Sequence, residues 1–231
     1  MPRSLARVFP IAAVFGALVA GAFAEEPPSP PSPPGSIVLF DGETLDGWKK
    51  TPFYGADALD VRAADGVLVL PRGKSLAGVT TTRTDLPTVD YELTYEAMRT
   101  EGEDFFAAAT FPVREGFLTF VNGGWGGNIT GLSCLDGADA SENETTVGYR
   151  YKDRVWYRFR IRVTADAVRC WIDDKEMVKV DIRDRGLTTR VQVRASEPLG
   201  FATYESAGEV RKIAIRPLTA AESAENLVES P

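Results

Sequence analysis

The sequence predicts an all-β fold, two antiparallel sheets stacked as a jelly-roll sandwich. Three observations carry this expectation. Apolar residues between positions 36 and 217 recur with a period of two rather than 3.6. Short strand-like runs are separated by turn pairs such as Asp41-Gly42, Asp46-Gly47, Asp65-Gly66, Asp173-Asp174 and Ala207-Gly208. No stretch in that interval carries an amphipathic helical pattern. About a dozen short strands fit two stacked sheets.

The chain divides before the sandwich begins. Arg3 and Arg7 precede an apolar run from Val8 to Phe23, and Ala22-Phe23-Ala24 offers a small-x-small cleavage site. Residues 1–24 therefore read as a secretory signal peptide. A membrane anchor is the competing reading, but the run is short and rich in Gly and Ala, whereas a span takes about 20 strongly apolar residues. The expected location is periplasmic, secreted or at the cell surface, with no membrane span left in the mature chain. No cysteine stands directly after the cleavage point to carry a lipid anchor. Residues 25–35 hold six prolines in eleven positions, a composition that favours extended polyproline II over a packed core.

Within residues 36–217 the clearest strand is Val155 to Thr164. Val155, Tyr157, Phe159, Ile161 and Val163 alternate with Trp156, Arg158, Arg160, Arg162 and Thr164. Asp90 to Met98 repeats the pattern, with Tyr91, Leu93, Tyr95 and Ala97 on one face and Glu92 and Glu96 on the other. Further strands are expected over 36–40, 67–70, 78–82, 105–111, 117–121, 168–172, 177–182, 199–204 and 210–216. Residues 167–181 read as a hairpin turning near Asp173–Lys175. Residues 218–231 are polar, acidic and small, and are expected as a flexible tail or a frayed helix.

Composition removes several kinds of chemistry. The chain has 26 Lys and Arg against 33 Asp and Glu. Losing Arg3 and Arg7 with the signal leaves 24 against 33, a net charge of −9. Such a protein has no general attraction for nucleic acid or anionic lipid. Histidine is absent, so a Ser-His-Asp triad and a histidine-ligated zinc are excluded. General acids and bases must be Asp, Glu, Tyr, Lys or Cys. Cys134 and Cys170 allow one disulfide, and their spacing leaves its formation open.

The most unusual segment is 122–145, NGGWGGNITGLSCLDGADASENET. Trp125 stands between two glycine pairs that leave its indole faces accessible. An aromatic plate beside Asn122, Asn128 and Asn143 suits the C–H faces and hydroxyl edges of a saccharide. The alternative is a tight turn whose tryptophan joins the core. Asp136, Asp139 and Glu142 could bind a hard cation such as Ca²⁺, although their spacing is not that of an EF-hand. The competing reading is an acidic loop that caps its own backbone. Asn128-Ile129-Thr130 and Asn143-Glu144-Thr145 are formal glycosylation sequons. Arg158, Arg160 and Arg162 face Glu92 and Glu96 if their strands are neighbours. They then form either a solvated face of weak ion pairs or a sugar groove in which arginine forks hold oxygens.

Several stretches resemble one known family. Leu39-Phe40-Asp41-Gly42 with Leu45-Asp46-Gly47-Trp48 is similar to its opening LF(D/N)G…L-x-GW motif. Asp65-Gly66-Val67-Leu68 resembles the DG-V-L hairpin that follows. Trp156-Tyr157 with Trp171-Ile172-Asp173-Asp174 resembles the W…WIDG pair, and Leu199-Gly200-Phe201 with Arg211-Lys212-Ile213 the closing GL…RNI element. Together they resemble the 3-keto-disaccharide hydrolase domain, also described as 3-keto-glucoside lyase/hydratase-like, over residues 37–217. The resemblance implies a concanavalin-A-like or laminin-G-like jelly roll. It also implies an exported bacterial enzyme that cleaves 3-keto-glycosides by hydrolysis or elimination. Where the family places an NSG element, this chain reads Phe105-Phe106-Ala107-Ala108, and it has none of the histidine that the family pattern often includes, so no catalytic residue carries over by motif. Elimination needs a base for the C2 proton and an acid for the departing oxygen. The candidates are Glu92, Glu142, Glu205 and Tyr204. A non-catalytic carbohydrate-binding or adhesion module on the same fold is the alternative function.

Overall fold

The computed structural model describes residues 34–56 and 60–225. Residues 1–24, read from sequence as a signal peptide, most of the expected 25–35 tether and residues 226–231 of the tail lie outside the described residues. In chain order the strands are β1 (Ile37–Val38), β2 (Trp48–Lys50), β3 (Arg62–Ala64), β4 (Val67–Leu70), β5 (Leu76–Thr81), β6 (Tyr91–Glu101), β7 (Ala108–Val113), β8 (Gly116–Gly123), β9 (Ile129–Ser133), β10 (Val147–Gly148), β11 (Trp156–Val163), β12 (Ala167–Ile172), β13 (Lys175–Asp181), β14 (Gly200–Tyr204) and β15 (Ala207–Pro217).

They form two antiparallel sheets. The eight-stranded sheet runs β13-β12-β11-β6-β15-β4-β3, with β1 also on β15, and the seven-stranded sheet runs β10-β9-β8-β7-β14-β5-β2. The jelly roll expected from the period-two pattern is therefore observed. The inner faces are the apolar alternates. Tyr95 of β6 stacks on Phe159 of β11 at 4.9 Å and meets Phe201 of β14 edge-on at 4.8 Å, tying the sheets together. The Tyr91 hydroxyl also crosses the core to donate to the Pro112 carbonyl at 2.5 Å. Strands β6 and β11 are neighbours, with Arg158 opposite Glu96 and Arg162 opposite Glu92. The β12–β13 hairpin turns at Asp173-Asp174 as expected.

Three local expectations change. The strand expected from Phe105 starts at Ala108, because Asp104 and Phe105 leave the sheet to wall a cleft while Phe106 turns into the core. The segment 122–145, for which no strand was expected, contains β9. Its central Gly131 reflects close packing, since a Cβ there would lie 2.8 Å from the Thr145 carbonyl oxygen. The beginning of the acidic tail is ordered. Residues Ala220–Ser223 form a helical turn with a capping box between Thr219 and Glu222, and Glu222 pairs with Arg162 and Arg216. Composition concealed this because the partners lie on distant strands.

Cys134 and Cys170 are both free and buried. Burial raises the pKa of each thiol, most strongly for Cys170. Among the described residues no helix is long and apolar enough to cross a membrane.

Candidate functional site

A cleft of about 330 Å³ opens on the face of the seven-stranded sheet turned away from the core. Its floor follows from strand alternation. Phe120 and Leu132 point inward, so Thr119, Val121 and Ser133, on the opposite parity of β8 and β9, point outward. Small residues dominate this floor. Ala108 lines it, and Ala202 and Gly78 lie beside Ala108 in register. Gly78 has no room for a side chain, since a Cβ would stand 2.4 Å from the Phe201 carbonyl oxygen. The walls are Phe105, Trp125 and Tyr204, with Asp104, Arg190, Gln192 and Ser75 at the margin.

Trp125 sits in the turn Gly124–Gly127, where it adopts φ 52° and is followed by Gly126 at φ 75°. A left-handed non-glycine residue costs roughly 1–2 kcal/mol, so the turn must be held by its surroundings. Gly127 approaches the Glu103 carbonyl too closely for any side chain, with a Cβ oxygen distance of 2.3 Å. Gly126 donates its N–H to Asp104 Oδ2 at 2.8 Å. Arg99 anchors the same loop by donating to the Glu103 and Tyr151 carbonyls at 3.2 and 3.0 Å and to Asp153 at 2.6 Å. The result is a tryptophan 39% exposed at the cleft wall, with the Arg190 guanidinium 5.7 Å from its ring centre. Arg190 is in turn paired with Asp139 at 3.0 Å.

Across the cleft Tyr204 packs on Phe105 with ring centres 5.9 Å apart. The neighbouring Glu205 carboxylate, with burial and the charge of Asp104 adding to it, raises the Tyr204 phenol above its ordinary pKa. The phenol is therefore a proton donor at neutral pH. Asp104 presents one carboxylate, whose oxygens accept from the Phe105 and Gly126 N–H groups.

The other residues singled out from sequence are distributed elsewhere. Glu205 is exposed beside Tyr204 at φ 46° but does not line the cleft. Asn122 is fully buried, its amide exchanging two hydrogen bonds with the Ala107 backbone. Asn128 closes the tryptophan turn by donating to the Gly126 carbonyl at 3.2 Å. Asn143 organises the acidic loop, donating to the Leu132, Ala138 and Asp139 carbonyls and accepting from Thr145. Glu92, Arg158 and Arg160 lie on the outer face of the eight-stranded sheet. Glu92 is 3% exposed and clamped by Arg162 and Arg216. Arg158 pairs with Asp174 at 2.7 Å, and Arg160 stacks 4.2 Å from the Trp171 ring centre. These groups form an ion-pair face rather than a sugar groove.

The three carboxylates considered for Ca²⁺ do not converge. Asp136 binds Arg185 and the Gly186 N–H, Asp139 binds Ser141 and Arg190, and Glu142 is exposed. The Gly186 N–H, helped by Arg185, holds Asp136 below the usual carboxylate range. Among the described residues no group of three His, Cys, Asp or Glu side chains is placed to hold a metal. Sequence reasoning missed Asp104, Phe105, Arg190 and Gln192. Only the unusual Phe105-Phe106 pair signalled any of them, and it reads equally well as strand.

The sequence profile of the 3-keto-alpha-glucoside-1,2-lyase-like domain matches residues 35–216. No curated protein matches the chain. Among solved structures, a chain from work on endo-acting O-glycanases that initiate mucin breakdown in the human gut microbiota is similar at 14% identity. Its TM-score is 0.52, and the match covers 79% of this chain and 100% of that one. The Crh5 transglycosylase in complex with NAG is similar at 11% identity and a TM-score of 0.52, over 80% and 84% of the two chains. The carbohydrate binding module CBM66 from Bacillus subtilis aligns at 10% identity and a TM-score of 0.46, over 78% and 99%. At these identities the likeness to solved structures is one of fold. The profile match spans nearly all of the sandwich, and on that ground the chain belongs to the family of 3-keto-alpha-glucoside-1,2-lyase-like domains.

Proposed function

We propose that this domain is exported and acts on 3-keto-glycosides in the cleft walled by Phe105, Trp125 and Tyr204. The observation that carries the reading is the convergence of three aromatic rings, a carboxylate and a protonated phenol over a floor of small side chains. Such rings suit the C–H faces of a pyranose. Family membership supports the substrate class, and the basic and apolar pattern of residues 1–24 supports export.

A ketone at C3 acidifies the proton at C2. In the proposed elimination the Asp104 carboxylate takes that proton, the C1–oxygen bond breaks, and the Tyr204 phenol protonates the departing oxygen. The products are an unsaturated keto-sugar and a free alcohol. Asp104 and Tyr204 are the acid–base pair because, among the described residues, they are the one carboxylate and the one phenol that line the cleft.

A second reading, a saccharide-binding module, is favoured by one feature. Both Asp104 oxygens already accept backbone N–H groups, a bonding pattern that also serves to shape the loop.

Incubation with 3-keto-trehalose, followed by product detection and calorimetry, separates the two. The enzymatic reading expects product, and a fall of about 10²–10⁴ in turnover in Asp104→Asn and Tyr204→Phe with binding retained. Binding without product leaves the module reading, and neither binding nor product rejects both. Trp125→Ala is expected to weaken saccharide binding about tenfold, roughly 1.4 kcal/mol, without loss of the fold. Unchanged affinity would remove Trp125 from the receptor.

A further inference from the structure

The outer face of the eight-stranded sheet carries a second polar centre, unrelated to the cleft. Arg160 and Arg162 of β11, Arg169 of β12 and Arg216 of β15 surround Trp171 and Glu92. The sandwich offers these four guanidiniums two carboxylates, Glu92 and Glu176. Glu92 is shared, with Arg162 at 3.1 Å and Arg216 at 2.7 Å, and Glu176 lies 2.5 Å from Arg169. Three of the guanidiniums stand 4.2, 5.5 and 5.0 Å from the Trp171 ring centre. Their crowding leaves this part of the sandwich with two more guanidiniums than carboxylates.

The segment after β15 supplies the balance. Glu222 accepts from Arg216 at 2.7 and 2.9 Å and from Arg162 at 3.2 Å. Glu225 accepts from Arg162 at 2.6 Å and reaches Arg169 at 3.2 Å. The two carboxylates are three residues apart: Glu222 lies in the helical turn and Glu225 just past its C-cap Ala224, where the Glu225 N–H donates to the Glu222 carbonyl at 3.3 Å. A turn of four residues has no stability of its own in water. It is held by its capping box and by these ion pairs.

We propose that Arg162, Arg169 and Arg216 form a recognition site for acidic peptide, specifically two carboxylates three residues apart, and that residues 218–225 are its resident intramolecular ligand. Guanidinium forks match carboxylates in a fixed planar geometry, which gives the site its selectivity for this class. Tethering places the resident segment at an effective concentration in the millimolar range. An acidic segment of another protein binds by displacing it.

The experiment uses the full chain. Two variants release the resident segment by independent routes: Glu222→Gln/Glu225→Gln removes its charges, and Thr219→Ala removes its cap. The probe is a synthetic peptide of residues 218–225, titrated at low salt against the Trp171 indole NMR signal. Near-ultraviolet circular dichroism verifies that each variant remains folded. Both variants are expected to bind the peptide at least tenfold more tightly than the unmodified chain. A peptide with both glutamates changed to glutamine is expected to leave the signal unmoved, and Arg169→Ala in the released background to abolish the gain. No binding by either folded variant overturns the proposal. Equal binding of the uncharged peptide, or equal competition by oligogalacturonate, overturns the assignment to acidic peptide.

Discussion

Two side chains that look chemically available in the sequence are fixed by the core and by charge. The Asn122 amide satisfies both the N–H and the carbonyl of Ala107 at 3.3 and 3.1 Å, inside a region closed to water. Truncation leaves both backbone groups buried without partners, at roughly 1–3 kcal/mol. Asn122→Ala is therefore expected to lower the unfolding free energy by about that amount, measured by urea denaturation. Any change in ligand affinity should follow only from lost structure. Glu92 presents a different case, a buried carboxylate held by two arginine forks. Removing one partner of such a centre costs about 3–5 kcal/mol, because the remaining charges stay buried. Glu92→Ala should destabilise the domain by that order while leaving saccharide binding in the folded fraction intact. A selective loss of turnover at full stability would return Glu92 to the catalytic candidates.

The C-terminal turn is an element whose stability depends on ionisation. The Arg216 guanidinium, with help from the Thr219 N–H and hydroxyl, lowers Glu222 from 4.5 to about 2. Glu225 is also lowered, chiefly by Arg169. Both shifts are depressions, so the docked turn gains stability wherever the carboxylates are ionised. That contribution is complete above the ordinary value near 4.5 and is lost as pH falls toward about 2. Acid titration followed by amide exchange of residues 219–225 should show undocking within that window, earlier at high salt. Undocking centred near neutral pH would contradict the assigned ion pairs.

For the sandwich as a whole, the two thiols report on the core. Cys170 lies on β12 and is fully buried, while Cys134 follows β9 on the other sheet. Burial keeps both protonated and unreactive. A thiol reagent should therefore label neither quickly in the native protein and both after unfolding, even for material recovered from an oxidising compartment. Absence of thiols in the denatured chain would show that the cysteines had paired.

The period-two faces of β6 and β11, their adjacency and the β12–β13 turn were legible because alternation and turn chemistry act over a few residues. The same local pattern put Glu92, Arg158 and Arg160 on one polar face, but could not say whether that face lined a groove. The cleft depends on interactions over long separations. Phe105 meets Tyr204 across about a hundred positions only because β7 and β14 are neighbours, and Arg190 reaches Trp125 from a different connection. Likewise, the acidic tail gains order from arginines on β11, β12 and β15, which composition cannot bring together. Side-chain alternation was thus set by the chain's local order of residues. Which outward faces became cleft, ion-pair centre or docking surface was settled by strand order, since only the closed sandwich brings those distant groups within bonding distance.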